Sequence, residues 1–219
     1  MEHNTIKGAI LDLDGTLLDS MNVWHNIDIE LLEMYNISPP ENISEIVKKM
    51  TIDDFSHYFV REFLLPVTPD EIREQIEQMA AEQYVSVLPL KDGAEQFLEG
   101  LDKLGISYGI ATATYPKLAR AALDRLGLTS RIQFLITEEE LGVGKTEPLI
   151  YYEGAKQLGL GKRQILVAED ALHSVLTAKK AGFFTAGVYD PATPSEEWQQ
   201  ICANATISVK KISDILKLI

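Results

Sequence analysis

Cysteine is almost missing from this chain. The single Cys202 excludes an internal disulfide and a thiolate metal cluster. Near the C-terminus it reads as a small buried apolar residue. Long hydrophobic runs are missing too. Met1–Lys7 is polar, and the run Ala9-Ile10-Leu11 stops at Asp12, too short for a signal-peptide core or a membrane span. A cytoplasmic protein that binds no membrane is expected. Positive charge is scarce: Lys and Arg number 20 against 33 Asp and Glu, a net charge of −13. No long-range attraction to a phosphate backbone exists, so nucleic-acid binding is not expected. A small phosphorylated ligand is still compatible, because it needs only a local positive pocket. No fixed-period repeat and no low-complexity tract occurs. What remains is a chain of 219 residues, 46% of them hydrophobic. That is enough to bury the core of one large domain, or of one domain carrying a smaller insert.

The pattern divides the chain. Residues 6–12 form an apolar run ending in a carboxylate, then Gly15, which reads as a buried parallel strand entering a loop. From Ser20 to Tyr84 only helical signals follow. Thr51 caps a helix through Phe55 and Phe59. Thr68-Pro69-Asp70-Glu71 carries a capping Thr, Pro in the first turn and a Glu placed to close a capping box. Helices and strands then alternate: helix 93–104, strand 106–112, helix 116–126, strand 132–136, helix 148–158, strand 164–168, helix 171–181 and strand 183–188. A last helix, a short strand near 205–208 and a terminal helix close the chain. Alternation of this kind predicts an α/β fold, a doubly wound parallel sheet, with a helical subdomain inserted after the first strand. The expected division is an α/β core of residues 1–18 and 89–219 and a helical insert of 19–88.

Ligands of such sheets bind beyond the carboxyl ends of the strands. The first strand ends in Asp12-Leu13-Asp14-Gly15-Thr16, the second in Thr112, and the fourth in Glu169-Asp170. The third is followed by Gly144-Lys145. Four acids, a hydroxyl and an ammonium suit a divalent cation together with a phosphate. Singly each has a plainer account: Asp12 as a turn residue, Asp170 as a helix cap, Thr112 as a strand-end Thr, Lys145 as a solvated charge. Glu138-Glu139-Glu140 reads as a solvated face. Gly144-Lys145-Thr146 looks like the tail of a P-loop, but that motif requires Gly at position 139, which is Glu.

These residues resemble the haloacid dehalogenase superfamily of phosphohydrolases. The run Asp12 to Ser20 matches its first motif, DxDGTLxDS. Thr112 matches the second, Lys145-Thr146-Glu147-Pro148-Leu149-Ile150-Tyr151 the third, and Glu169-Asp170 with Ala178 to Gly182 the fourth. The insert resembles the small helical cap of the phosphoglycolate phosphatase and β-phosphoglucomutase subgroup. The resemblance implies a Rossmann-like core and an Asp12 nucleophile forming an aspartyl-phosphate. It also implies Mg²⁺ held by Asp12, the Asp14 carbonyl, Glu169 and Asp170. Asp14 would be the general acid and base, Thr112 and Lys145 would bind the phosphoryl group, and Gly15, Thr16 and Ala113 would lie beside the substrate. A phosphatase of small phosphorylated metabolites, such as sugar or polyol phosphates, is expected, as a monomer or weak dimer.

Two alternatives accompany it: a phosphomutase using the same aspartyl-phosphate, and a non-catalytic phosphate-responsive binding protein. The mutase-like subgroup carries a His five residues after the first motif's closing Asp. Here Trp24 stands there, with His25 one step on and rotated by about 100° on a helix. Trp24 is expected to close the pocket or to pack in the cap. By analogy the substrate loop falls at Val47–Thr51. Lys48 and Lys49 there either contact a distal anionic group or are solvated. His173 lies one turn after Asp170, within reach of the residues around the metal.

Overall fold

The computed structural model describes residues 6–47 and 49–219, with the backbone alone at residue 25. The chain opens with β1 (Gly8–Leu11) and continues into four helices: α1 (Met21–Met34), α2 (Ile43–Val47), α3 (Ile52–Glu62) and α4 (Pro69–Glu82). A π-helical turn, Gln83–Val87, ends this stretch. The alternating part runs α5 (Ala94–Leu104), β2 (Ser107–Thr112), α6 (Pro116–Arg125), β3 (Leu135–Thr137), α7 (Glu138–Leu141) and α8 (Leu149–Leu158). It continues with β4 (Ile165–Glu169), α9 (Leu172–Ala181), β5 (Phe184–Val188), α10 (Ser195–Asn204) and β6 (Ile207–Val209). The strands form one parallel sheet in the order β3-β2-β1-β4-β5-β6.

The sheet explains why the strands read as unbroken apolar runs. Every residue of β1 and β4 is buried, because helices cover both faces. Successive residues serve opposite faces. Ile10, Ala111 and Val167 join one cluster with Ile150 and Tyr151 of α8. Ala9, Leu11, Ile110 and Leu166 join the other, with Phe97 of α5 and Leu118 of α6. Helices α8 and α9 end on Gly159 and Gly182, both left-handed, where a glycine carries no Cβ penalty.

Between β1 and α5, α3 packs on α4, α4 on α1 and α1 on α2. Both expected caps form. The Thr51 side chain accepts from the Asp54 N–H, and Thr68 and Glu71 close a capping box. Phe55 and Phe59 stack with ring centroids 4.0 Å apart. The segment entering this region and the segment leaving it lie side by side. Leu18 and Leu90 form an antiparallel bridge, flanked by Asp19 N–H to Pro89 O at 3.1 Å and Lys91 N–H to Leu17 O at 2.8 Å.

Four details depart from expectation. Cys202 is exposed on α10, because the buried face of that helix is turned by Ile201. The third strand begins at Leu135 rather than 132, and the terminal segment Ile212–Lys217 is a 3-10 helix. Glu138–Leu141 is a helical turn, and Glu138 is buried instead of solvated. No helix among the described residues is long and apolar enough to cross a membrane.

Candidate active site

The strand order turns at the β1–β4 pair, since later strands are added on either side of it. Leu11 is in register with Ala168, so Asp12 and Glu169 leave adjacent strands together. The Asp12 N–H donates to Ala168 O at 3.0 Å, which fixes the Asp12 backbone against β4. Carboxylate oxygens of Asp12, Glu169 and Asp170 all lie within 4.8 Å of one another, and all three residues are buried.

A buried cation faces them. Lys145 reaches in from the loop before α8, 4% exposed, and its Nζ pairs with Asp12 Oδ1 and with Glu169 Oε1, the latter at 2.9 Å. Burial alone would lower the Lys145 pKa, but Asp12 and Glu169 more than reverse this and hold it charged. Its own amide is anchored by Glu138, whose Oε1 accepts the Lys145 N–H at 2.5 Å. The buried Glu138 thus shapes the loop that delivers the lysine. Tyr151 donates to Glu169 Oε1 at 2.9 Å. Burial pushes the Glu169 and Asp170 carboxyls up, and Asp12 adds to both shifts. Three clustered carboxylates against one ammonium leave negative charge uncompensated. The donor set, hard oxygen ligands at the end of two strands, fits a divalent cation such as Mg²⁺.

Asp14 sits apart from this cluster. Tyr84 donates to its Oδ1 and Thr114 to its Oδ2. Burial raises its pKa, opposed by the hydrogen bonds from Thr114 and Tyr84. The Tyr84 hydroxyl also accepts from Trp24 Nε1 at 2.7 Å. Gly15 between the two groups has φ +75°, and a Cβ there would collide with the Asp170 carboxylate, so only glycine lets the loop pass so close. Thr16 donates to Asp170 at 3.5 Å. Thr112 is buried and its Oγ1 accepts the Thr114 N–H at 3.0 Å. Lys91 braces the loop from behind, donating to Gly15 O at 2.5 Å, Tyr189 O at 3.0 Å and Asp190 at 2.6 Å.

Beside the site lies a cavity of about 270 Å³. Asp53, Asp54 and Arg73 line it from α3 and α4, and Ala113, Glu138 and Glu139 from the sheet side. Gly144 meets Thr51 across it so closely that a Cβ at position 144 would fall 3.2 Å from the Thr51 methyl.

A family model of haloacid dehalogenase-like hydrolases matches residues 9–188. The chain belongs to this family. Hexitol phosphatase A of Escherichia coli is 31% identical over 186 residues, 85% of this chain and 84% of that protein. Validoxylamine A 7'-phosphate phosphatase of Streptomyces hygroscopicus subsp. limoneus is 25% identical over 209 residues, 95% of each. The crystal structure of CbbY from Rhodobacter sphaeroides in complex with phosphate has a TM-score of 0.83 at 18% identity, covering 96% of both chains; that likeness is one of fold.

In this haloacid dehalogenase-like hydrolase, Asp12, Glu169, Asp170 and Lys145 come together as one buried group, with Thr16 against Asp170. Trp24 is half-buried and engaged with Tyr84, its ring 6.0 Å away and edge-on. Lys49 is exposed. Lys48 lies outside the described residues, as does the side chain of His25. Sequence reasoning missed Tyr84, Thr114, Lys91 and Glu138. Thr114 could have been found as the hydroxyl two residues past the Thr112 strand end. Tyr84, seventy positions from Asp14, has no local signal.

Proposed function

We propose that this chain is a cytoplasmic, Mg²⁺-dependent phosphatase that hydrolyses phosphate monoesters of small polyols or sugars through an aspartyl-phosphate on Asp12. The observation that carries the reading is the buried group of Asp12, Glu169 and Asp170 closed by Lys145. The names of the two curated relatives, both phosphatases of phosphorylated small molecules, support it. Residues 1–18 and 89–219 would be the catalytic core, and 19–88 a cap hinged where Leu18 meets Leu90.

Asp12, Glu169 and Asp170, with the Asp14 carbonyl, would hold the cation. When bound it supplies positive charge that offsets the repulsion between a carboxylate and a phosphate dianion. A free Asp12 oxygen attacks phosphorus, and the bond to the leaving oxygen breaks. Lys145 and the Thr112 hydroxyl hold the phosphoryl oxygens. The Asp14 proton passes to the departing alkoxide; burial favours the protonated form needed for that step. Asp14, now ionised, takes a proton from water. The resulting hydroxide attacks phosphorus, the bond to Asp12 breaks, and phosphate leaves with both carboxyls restored.

Phosphate release from a panel of polyol, sugar and glycolate phosphates, with Mg²⁺ or with EDTA, tests the reading. Release that requires the cation is expected. Release undiminished in EDTA would overturn the metal-dependent reading.

Tyr84 gives a second check. Tyr84→Phe removes the hydroxyl that fixes Asp14 but retains the ring. A misoriented acid should cost roughly 10–10²-fold in kcat, with KM within about threefold. In rapid-mixing kinetics with p-nitrophenyl phosphate, the initial release of nitrophenolate should persist, because that leaving group needs no proton, and later turnover should slow. Equal losses in both phases would count against a role through Asp14.

A further inference from the structure

The cavity beside the site has an unusual charge balance. Four carboxylates line it, those of Asp53, Asp54, Glu138 and Glu139, against Arg73, the one cationic side chain lining it among the described residues. Arg73 is already engaged. Its Nη1 lies 3.1 Å from Asp53 Oδ1 and its Nη2 3.1 Å from Glu139 Oε1. Its guanidinium carbon stands 6.0 Å from the centre of the Tyr115 ring. The N-terminus of α3, which would otherwise attract an anion, is closed as well. Thr51 takes the Asp54 N–H, and Asp53 and Asp54 stand in the first turn. Glu138 turns one oxygen to the Lys145 amide. The walls therefore offer carboxylate acceptors for hydroxyl groups and, among the described residues, no uncommitted cation for an anion.

We propose that this cavity receives an uncharged, hydroxyl-rich leaving group, and that the Asp53–Arg73–Glu139 arrangement makes the enzyme reject substrates carrying a second anionic group. The proposal rests on the phosphatase reading above and narrows its substrate class. The cavity volume, about 270 Å³, is at the small end of ligand pockets, roughly 300–1,000 Å³, and suits one monosaccharide-sized group. A second phosphate or carboxylate there would face the like charges of Asp53 and Glu139, which already hold Arg73 between them.

The test compares kcat/KM for sorbitol 6-phosphate with that for fructose 1,6-bisphosphate and 2-phosphoglycolate, with p-nitrophenyl phosphate as a reporter of phosphatase chemistry. The polyol monophosphate should lead both bis-anionic substrates at least tenfold. In Glu139→Gln and in Asp53→Asn, which each free one side of Arg73, the ratio should move at least tenfold toward the bis-anionic substrates. Adding Arg73→Gln to Glu139→Gln should cancel that gain. Glu99→Gln, an equal loss of charge on α5, should leave the ratio unchanged. Equal wild-type activity on the bisphosphate, or a ratio unmoved in both single variants, or a gain that survives without Arg73, would overturn the proposal. Loss of turnover on p-nitrophenyl phosphate by the wild-type protein would instead overturn the phosphatase reading on which it stands.

Discussion

Asp12→Asn should lower phosphate release by about 10⁴-fold or more, because removing the proposed attacking group leaves only binding and electrostatic help. The same change should not unfold the protein. Asp12 is one of three buried carboxylates gathered around a single ammonium. Its charge pushes the Glu169 and Asp170 carboxyls up. Neutralising it removes that like-charge repulsion, at the loss of one of the two partners of Lys145. The asparagine oxygen can still accept from Lys145, so a buried ammonium is not left without a neighbour. The expected result is therefore a split: activity lost, and a melting temperature in EDTA equal to or above that of the wild type. Steady-state phosphate release and thermal unfolding on the same preparation read both halves. Turnover within tenfold of wild type would remove Asp12 from the chemistry. A large fall in melting temperature would mean that its pairing with Lys145 outweighs the repulsion.

The legible parts of this fold are those determined within a few residues. Thr68 to Glu71 contains every group its capping box needs, and the box forms. The strand-end acids are legible because strand, turn and acid are contiguous, from Leu11 to Asp14 and from Ala168 to Asp170. The start of the third strand is not, because Ile132 and Phe134 continue its apolar alternation and the stretch does run beside β2. Gln133 N–H donates to Tyr108 O, and Ile110 N–H to Phe134 O, yet the regular ladder starts only at Leu135. Glu138 reads as solvated because nothing nearby shows that the chain returns at Gly144 to bury it under the Lys145 amide. Tyr84 meets Asp14, and Trp24 meets Tyr84, only through the packing of the helical insert onto the sheet. Sequence periodicity carries no information about that arrangement.

Lys145→Met should be the change that most damages the fold. Methionine fills similar space but removes the ammonium that pairs with both Asp12 and Glu169. Breaking a buried ion pair from one side typically costs about 3–5 kcal/mol, which for a chain of this length corresponds to roughly 10 °C in melting temperature. The deficit should depend on pH in a definite direction. The Glu169 and Asp170 carboxyls already stand above their ordinary range through burial, and losing Lys145 raises Glu169 further. An acid whose folded-state pKa lies above its unfolded value destabilises the fold only where the unfolded chain would ionise it. The deficit should thus be largest near about pH 8 and shrink toward about pH 3, below the ordinary carboxyl values, where both states are protonated. Mg²⁺ should restore part of the lost stability at neutral pH, and more in the variant than in the wild type, because it supplies the positive charge that the carboxylates lack. Activity should stay low even then, since the cation replaces the charge of Lys145 but not the contact with the phosphoryl oxygens proposed for it. Melting curves across pH, with EDTA and with Mg²⁺, read each part. A deficit that is small at about pH 8, or that grows on acidification, would show that Lys145 does not neutralise this cluster.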